Sequence, residues 1–177
     1  MESEVMIQPP RTMLEVFKSL PEGTLIQLIE NNLVMSPSPK DLHQEVLGEL
    51  FLQLLTFTRR KKLGKVRIAP YDVYLDRKNA YQPDLIFISN ENLHKIQENG
   101  LHGAPDVVIE VLSPSTAKYD KGKKKAVYER CGVKEYWIVD PATKTVTGYA
   151  LQENRFKEIA TATAVIDSPL LGVTMNF

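Results

Sequence analysis

The sequence predicts an α/β fold, with a central mixed β-sheet and helices packed against it. One observation is a nearly continuous apolar run at 105–112, which is typical of a strand covered on both faces. Another is a helical pattern at 118–131 followed by a second apolar run at 135–139, which predicts a strand–helix–strand unit with a right-handed crossover. Alternating segments near both ends of the chain add antiparallel strands to this core.

Length and composition indicate how the chain is organised. Its 177 residues correspond to one domain at the usual ~100–200 residues per domain. Hydrophobic residues make up 43% and charged residues 25%, ordinary values that exclude a disordered or coiled-coil chain. The single cysteine, Cys131, excludes an intramolecular disulfide, and no Cys/His cluster has the spacing of a zinc site. We therefore expect one domain over 12–177, preceded by a tail at 1–11.

The N-terminal elements are predicted from turn and capping residues. Thr12 and Glu15 have the spacing of a capping box, which opens a short helix that ends before Gly23. The pair Asn31 and Asn32 tolerates the positive φ of a tight turn, so we expect a β-hairpin around it.

A long amphipathic helix is predicted next. Ser38 is a suitable N-cap residue and Pro39 suits the first helical position. Apolar residues then recur at spacings of three and four: Leu42, Val46, Leu47, Leu50, Phe51, Leu54 and Leu55. The basic segment 59–62 and Gly64 are typical of a helix C-terminus.

The middle of the chain is predicted to be rich in strands. The segment 66–75 alternates, with Pro70 marking an edge or a bulge, and a buried strand follows at 85–88. After the helix at 118–131, Gly132 stands in the position of a C-terminal cap. The later antiparallel strands are expected at 145–151, 156–161 and 173–177.

Charge narrows the classes of function. The 22 basic and 22 acidic residues cancel, which argues against a protein that coats nucleic acid but not against an enzyme that contacts it locally. Residues 1–10 carry Glu2 and Glu4 and no apolar run, unlike a signal peptide. The longest apolar stretches are far below the ~20 residues that span a bilayer. We expect a cytoplasmic protein that does not associate with membranes.

Two acidic residues at predicted core strands are the first candidates for chemistry. Glu110 lies inside the apolar run 105–112, where an unpaired carboxylate would cost several kcal/mol. Asp84 follows Pro83 at the start of the strand 85–88. Each residue alone has a structural explanation. Glu110 can be a buried carboxylate with a hydrogen-bond or lysine partner, and Asp84 can be an aspartate that caps a turn. Together they offer the oxygen ligands that Mg²⁺ or Mn²⁺ prefers, so we predict a metal site at Asp84 and Glu110.

One lysine of the basic run 118–125 is predicted to point toward these carboxylates. On a helical wheel, Lys124 lies within about 15° of the inward apolar stripe, whereas Lys123 and Lys125 lie roughly 90° and 110° away from it. Two carboxylates and a lysine form a hydrolytic set. The carboxylates hold a metal that activates water, and the lysine orients that water or neutralises charge at the phosphorus.

Several segments together resemble the Uma-two family of restriction-endonuclease-like domains, within the PD-(D/E)xK nuclease superfamily. They are the residues 82–88, 104–116, 120–124, Tyr128, Gly132, Val133 and 135–141. The similarity extends from about Thr12 to Phe177 and is most specific at 104–141. The resemblance implies a restriction-endonuclease-like core, with extra antiparallel strands at both ends, and Mg²⁺-dependent cleavage of DNA.

The resemblance also implies roles for particular residues. Asp84 and Glu110 match the motif acids. Leu112 occupies the superfamily's lysine position, and the family's displaced lysine matches Lys124. A His-Gln pair that opens the long helix in family members matches His43 and Gln44, and we expect these two residues to bind the substrate.

One departure and one further expectation concern charge. Family members usually carry a glutamate in the first hairpin where this chain has Gln27, which removes a negative charge and weakens the expected metal binding. The remaining lysines of the basic run, Lys121, Lys123 and Lys125, are predicted to contact DNA phosphates.

The predicted function is that of a Mg²⁺-dependent DNA endonuclease. We expect a homodimer, because cleavage of a duplex needs two sites and two-fold pairing is the commonest arrangement. A non-catalytic DNA- or protein-binding module on a nuclease scaffold is the alternative. A glycosidase using Asp84 and Glu110 as acid and base would need an aromatic groove, for which the single Trp137 offers little support.

Overall fold

A computed structural model describes residues 9–177 and confirms the predicted mixed α/β fold. The strands are β1 (Ile26–Ile29), β2 (Asn32–Met35), β3 (Gly64–Ile68), β4 (Val73–Asp76), β5 (Asn79–Tyr81), β6 (Leu85–Ser89), β7 (Ile96–Gln97), β8 (Gly100–His102), β9 (Val107–Val111), β10 (Glu135–Val139), β11 (Thr145–Gln152), β12 (Arg155–Thr163), β13 (Val165–Ser168) and β14 (Val173–Asn176). The helices are α1 (Met13–Lys18), α2 (Asp41–Lys61), α3 (Ala117–Tyr119) and α4 (Lys125–Cys131), with a 3₁₀ segment at Asn90–Lys95. Of the predicted tail at 1–11, residues 1–8 lie outside the described residues.

The central sheet has the strand order β12-β11-β10-β9-β6-β3. Strands β9 and β10 are parallel, with Val107 opposite Glu135, and helices lie between them in the chain, which confirms the predicted strand–helix–strand unit. The other pairs in this sheet are antiparallel. The sheet is therefore mixed, as the apolar runs and the alternating segments predict.

A second six-stranded sheet has the order β2-β1-β5-β4-β8-β7, and β13 pairs with β14 in a separate hairpin. The prediction of one strand over 66–75 is wrong, because β3 lies in the central sheet and β4 in the second. Pro70, which has no N–H to donate to a ladder, lies where the chain passes from one sheet to the other. The short strands β5, β7, β8 and β13 were not predicted, because two to four residues show no recognisable period.

The two faces of the central sheet carry separate apolar clusters. Helix α2 covers one face, where Val107, Ile109 and Val111 pack. Val108 and Leu112 pack on the other face, beneath α4 and the second sheet. This division follows the alternation of side chains along β9, so the residues of this strand are distributed as the sequence predicts.

Two predicted helix and turn boundaries are corrected, and two are confirmed. The hairpin turn lies at Glu30 and Asn31, both with positive φ, one residue before the predicted Asn31–Asn32 pair. Helix α2 begins after Lys40, whose backbone is extended, and not after Ser38. The predicted end in the basic segment 59–62 is confirmed, with Lys62 in the left-handed conformation as the C-cap. The N-cap of α1 is confirmed, since the Thr12 side chain accepts from the Glu15 N–H at 3.1 Å.

The predicted helix at 118–131 contains a π-helical turn at Asp120–Lys124 between α3 and α4. Such turns are rare in proteins as a whole, and those that occur are often found at functional sites. The helical wheel therefore does not apply strictly across this segment. The predicted cap is confirmed at the other end, where Gly132 adopts φ +88° after Cys131.

Candidate active site

A cleft of about 440 Å³ opens beside the central sheet. Its walls are the segment 36–40, the first turn of α2, the ends of β6 and β9 and the loop 113–116. All three predicted catalytic residues, Asp84, Glu110 and Lys124, line this cleft. Side chains separated by up to 40 positions in the sequence are thus brought to one site.

The two acidic residues meet because β6 and β9 are antiparallel neighbours with Leu85 opposite Ile109. This register places Asp84, which precedes β6, beside Glu110. The Asp84 N–H donates to Glu110 Oε2 at 3.3 Å, and the Val111 N–H donates to Asp84 Oδ2 at 2.8 Å. The backbone of the two strands therefore fixes the spacing of both carboxylates.

Glu110 and Lys124 form a buried ion pair. Lys124 Nζ lies 2.5 Å from Glu110 Oε1, and the Tyr128 hydroxyl donates to the same oxygen at 2.8 Å. Burial raises the pKa of Glu110 to about 8, and the charge of Lys124 opposes that rise. Burial alone would lower the pKa of Lys124, but Asp120 and Glu110 outweigh it and raise the pKa. The lysine is thus a fixed cation at the glutamate.

Asp120, which is not among the predicted site residues, also lines the cleft. Its side chain is buried, and Oδ1 lies 2.9 Å from Lys124 Nζ. The spacing of four between Asp120 and Lys124 was a signal for this pair, since such residues are neighbours on a helix.

His43 and Gln44 lie in the first turn of α2, which faces the cleft. His43 is buried, and its Nε2 lies 3.3 Å from Asp84 Oδ2. Burial lowers the pKa of His43, but the hydrogen bond and charge of Asp84 outweigh burial, so the pKa is raised overall. Within residues 9–177, His43 Nδ1 has no hydrogen-bond partner. Gln44 is exposed at the cleft.

The other predicted lysines do not line the cleft. Lys121 and Lys123 are exposed, and Lys125 places its Nζ 3.5 Å from the centre of the Tyr149 ring. Lys124 is 2% exposed, so it points inward as the helical spacing predicts.

Gln27 lines the cleft as a neutral residue. Its Nε2 donates to Ser36 Oγ at 2.8 Å, and its Oε1 accepts from the Gln82 N–H at 3.2 Å. The amide thus joins the first hairpin to the segment that leads into β6. A glutamate here would add a carboxylate to the cleft wall.

The cleft offers a sparse set of metal ligands. No group of three or more His, Cys, Asp or Glu side chains suited to a metal occurs within residues 9–177. Mg²⁺ commonly binds proteins through one or two carboxylates and keeps several waters, so Asp84 and Glu110 fit its requirements. The His43 and Val111 contacts of Asp84 both use Oδ2, so they do not occupy Oδ1.

The fold and this set of side chains define a restriction-endonuclease-like α/β protein. A family model described as "Uma2: Putative restriction endonuclease" matches residues 14–176, so the chain belongs to this family. Its fold is similar to a crystal structure titled "putative nuclease belonging to DUF820" from Anabaena variabilis, with a TM-score of 0.75, 18% identity and coverage of 92% of each chain. No curated protein matches the chain. No helix among residues 9–177 has both the length and the hydropathy to cross a bilayer.

Proposed function

We propose that this protein is a metal-dependent endonuclease that hydrolyses phosphodiester bonds in DNA. The observation that carries the proposal is Glu110, a buried carboxylate that contacts the Asp84 backbone on one oxygen and Lys124 on the other. Family membership and the nuclease title of the structural neighbour support the same reaction class.

Each residue of the cleft has a chemical role in this proposal. Asp84 and Glu110 would hold Mg²⁺ or Mn²⁺, which would lower the pKa of a water and polarise a phosphoryl oxygen. Lys124 stabilises the negative charge that grows on the phosphoryl oxygens, and its burial strengthens that interaction. His43 keeps the Asp84 carboxylate oriented through the 3.3 Å contact.

The substrate contacts extend beyond the cleft. We assign Gln44 at the rim, and Lys121, Lys123 and Lys125 on the neighbouring helical segment, to DNA contacts. Lysine–phosphate contacts add affinity that falls with salt and carry no sequence information. We also place the protein in the cytoplasm. We propose that it is a homodimer, and analytical ultracentrifugation with and without duplex DNA would test this oligomeric state.

The primary test compares charge-neutral variants that preserve shape. Asp84→Asn and Glu110→Gln should each abolish Mg²⁺- or Mn²⁺-dependent cleavage of plasmid DNA while the fold stays intact, because each removes a carboxylate from the proposed metal site. Asp167→Asn is the matched control, since Asp167 is exposed and does not line the cleft. Cleavage at the wild-type rate by either site variant would show that the metal-site assignment is wrong.

The alternative of a non-catalytic binding module is favoured by Gln27, which leaves the cleft with one carboxylate fewer than the family pattern. A Mn²⁺ binding isotherm on the wild type and on Asp84→Ala separates the two. A module that has lost its metal site would bind Mn²⁺ equally weakly in both. A glycosidase has no structural support, because no Phe, Tyr or Trp of the described residues lines the cleft and Trp137 is fully buried.

A further inference from the structure

Asp120 is a buried carboxylate that lines the cleft, and the proposed hydrolysis gives it no role. Its side chain is 2% exposed and faces Lys124, with 2.9 Å between Oδ1 and Nζ. Within residues 9–177, Oδ1 accepts no hydrogen bond beside this ion pair. A buried carboxylate is costly unless a charge compensates it, so the Lys124 ammonium is the group that makes its burial tolerable.

The backbone that carries Asp120 is itself held in place. The π-helical turn Asp120–Lys124 places the first and last residues of the turn on the same inward side, and both are buried. The Tyr136 hydroxyl donates to the Asp120 carbonyl at 2.9 Å from the adjacent strand β10. Asp120 therefore approaches Lys124 from a fixed position.

Lys124 consequently lies between two carboxylates, with Glu110 at 2.5 Å and Asp120 at 2.9 Å. A divalent cation at Glu110 would compete for that carboxylate and would repel the ammonium. Asp120 is not among the proposed metal ligands, so its hold on the lysine is independent of the metal. Apart from Glu110 and Asp120, the ammonium contacts the neutral Tyr81 ring, whose centre lies 5.6 Å from Nζ. Asp120 is therefore the charged group that would keep Lys124 beside the reacting phosphate once a cation binds.

We propose that Asp120 is the positioning residue for Lys124, retaining the ammonium beside Glu110 when that glutamate binds a cation. This inference rests on the proposed nuclease function. Asp120 touches neither the substrate nor the metal in this proposal, so its whole effect on turnover passes through the lysine.

The test is a double-mutant cycle on plasmid cleavage, because interacting residues are non-additive when they act as one unit. Asp120→Asn keeps the shape and removes the charge. It should lower kcat about 10- to 100-fold, the usual range for a residue that orients a functional group, with the KM for DNA little changed. Adding Asp120→Asn to Lys124→Ala should lower kcat no further. Asp167→Asn is again the exposed control.

A second measurement does not depend on activity. In calorimetric titration with Mn²⁺ and no DNA, Asp120→Asn should weaken binding, because one negative charge is gone and Lys124 then pairs with Glu110 alone. Lys124→Ala should leave Mn²⁺ affinity unchanged or raise it. If Asp120→Asn does not fold, Lys124→Met with Asp120→Asn is compared with Lys124→Met alone, and equal kcat values are expected.

The outcomes separate this inference from the proposed function. If kcat falls in Lys124→Ala but not in Asp120→Asn, the positioning role is wrong and the nuclease proposal stands. If the two losses multiply in the double variant, Asp120 does not act through the lysine and the inference is overturned. If Lys124→Ala cleaves like the wild type, the lysine's role in the proposed function fails, and the role of Asp120 fails with it.

Discussion

Lys123 and Lys124 are adjacent in the chain but differ in their surroundings, since Lys123 is exposed and Lys124 is buried against two carboxylates. We expect Lys124→Ala to lower turnover by at least about 10²-fold, the usual scale for removing one electrostatic stabiliser of a transition state. Lys123→Ala and Lys125→Ala should instead weaken DNA binding modestly and in a salt-dependent way. Steady-state cleavage and DNA titrations at two salt concentrations would measure both effects.

The comparison of these three lysine variants is internal, so errors in protein quality or metal content largely cancel. Similar behaviour of all three would mean that Lys124 belongs to a basic surface patch. The catalytic lysine would then lie elsewhere or be absent, and the binding-module alternative would be favoured.

At the scale of residues, part of the candidate site could be predicted from the sequence. Asp84 and Glu110 stand out because acids are rare at buried strands, and antiparallel pairing of β6 with β9 then brings them together. Lys124 follows from helical spacing. The spacing of four also pairs Asp120 with Lys124, but it does not show that Asp120 is buried, because that burial depends on a π-helical turn for which the sequence has no recognised signal.

At the scale of elements, Asp106 joins β9 to its neighbours. Its buried carboxylate accepts from the Ser89 N–H at 2.7 Å and from Asn92, and it pairs with Lys134 at 2.7 Å. Burial raises the pKa of Asp106, but Lys134, Asn92 and Ser89 outweigh burial, so the pKa is lowered overall. A carboxyl group with a lowered pKa stabilises the fold above its unfolded-state pKa, and this contribution is lost as pH falls through its folded-state pKa.

Asp106→Asn should therefore lower the free energy of unfolding at neutral pH by about 1–3 kcal/mol, since the charged partners of a buried group are lost. The difference from the wild type should shrink as pH falls below about 4, where the unfolded aspartate becomes protonated. Urea denaturation across this pH range measures it, with Asp167→Asn as the exposed control. A difference that stays constant with pH would contradict the ionic explanation.

Substitution by alanine is predicted to have opposite effects on stability at two glycines, Gly148 and Gly48. A Cβ at Gly148 would lie 2.2 Å from the buried Trp137 ring, which is opposite Gly148 on β10. Gly148→Ala should destabilise the protein by about 1–3 kcal/mol or more through overpacking. Gly48 is exposed within α2 with nothing within 4 Å of a Cβ, so Gly48→Ala should stabilise it by about 0.5–1 kcal/mol. Thermal unfolding of both variants tests the sign of each change.

Long periodic elements were predictable, whereas the path between the two sheets was not. The apolar period of α2 and the buried runs of β9 and β10 identify these elements, because burial selects their residues directly. The segment 66–75 alternates throughout, but alternation does not show which partner each half pairs with. Its division between two sheets depends on tertiary contacts, including the Ala69 N–H donating to the Asp84 carbonyl at 3.0 Å.

At the scale of the whole molecule, a chain with no net charge places acidic side chains in the cleft where its proposed substrate is also negative. The cleft is lined by three acidic side chains, Asp84, Glu110 and Asp120, and by the basic side chains Lys40, His43 and Lys124. A phosphodiester brought into this cleft without a metal meets like charge. Because the overall charge offers no compensating attraction, tight DNA binding should require a divalent cation.

The charge of the cleft predicts that Asp84→Asn binds DNA more tightly than the wild type without a divalent cation, and that a divalent cation reverses this order. In EDTA, Asp84→Asn should bind duplex DNA about three- to tenfold more tightly than the wild type, because one repelling carboxylate is neutral. With Ca²⁺ as the added cation, the wild type should gain affinity and Asp84→Asn should gain much less. Fluorescence anisotropy at one fixed salt concentration measures both, since the affinities also depend on salt. Equal wild-type affinity in EDTA and in Ca²⁺ would mean that DNA is held outside the cleft, by surfaces that the proposed metal site does not influence.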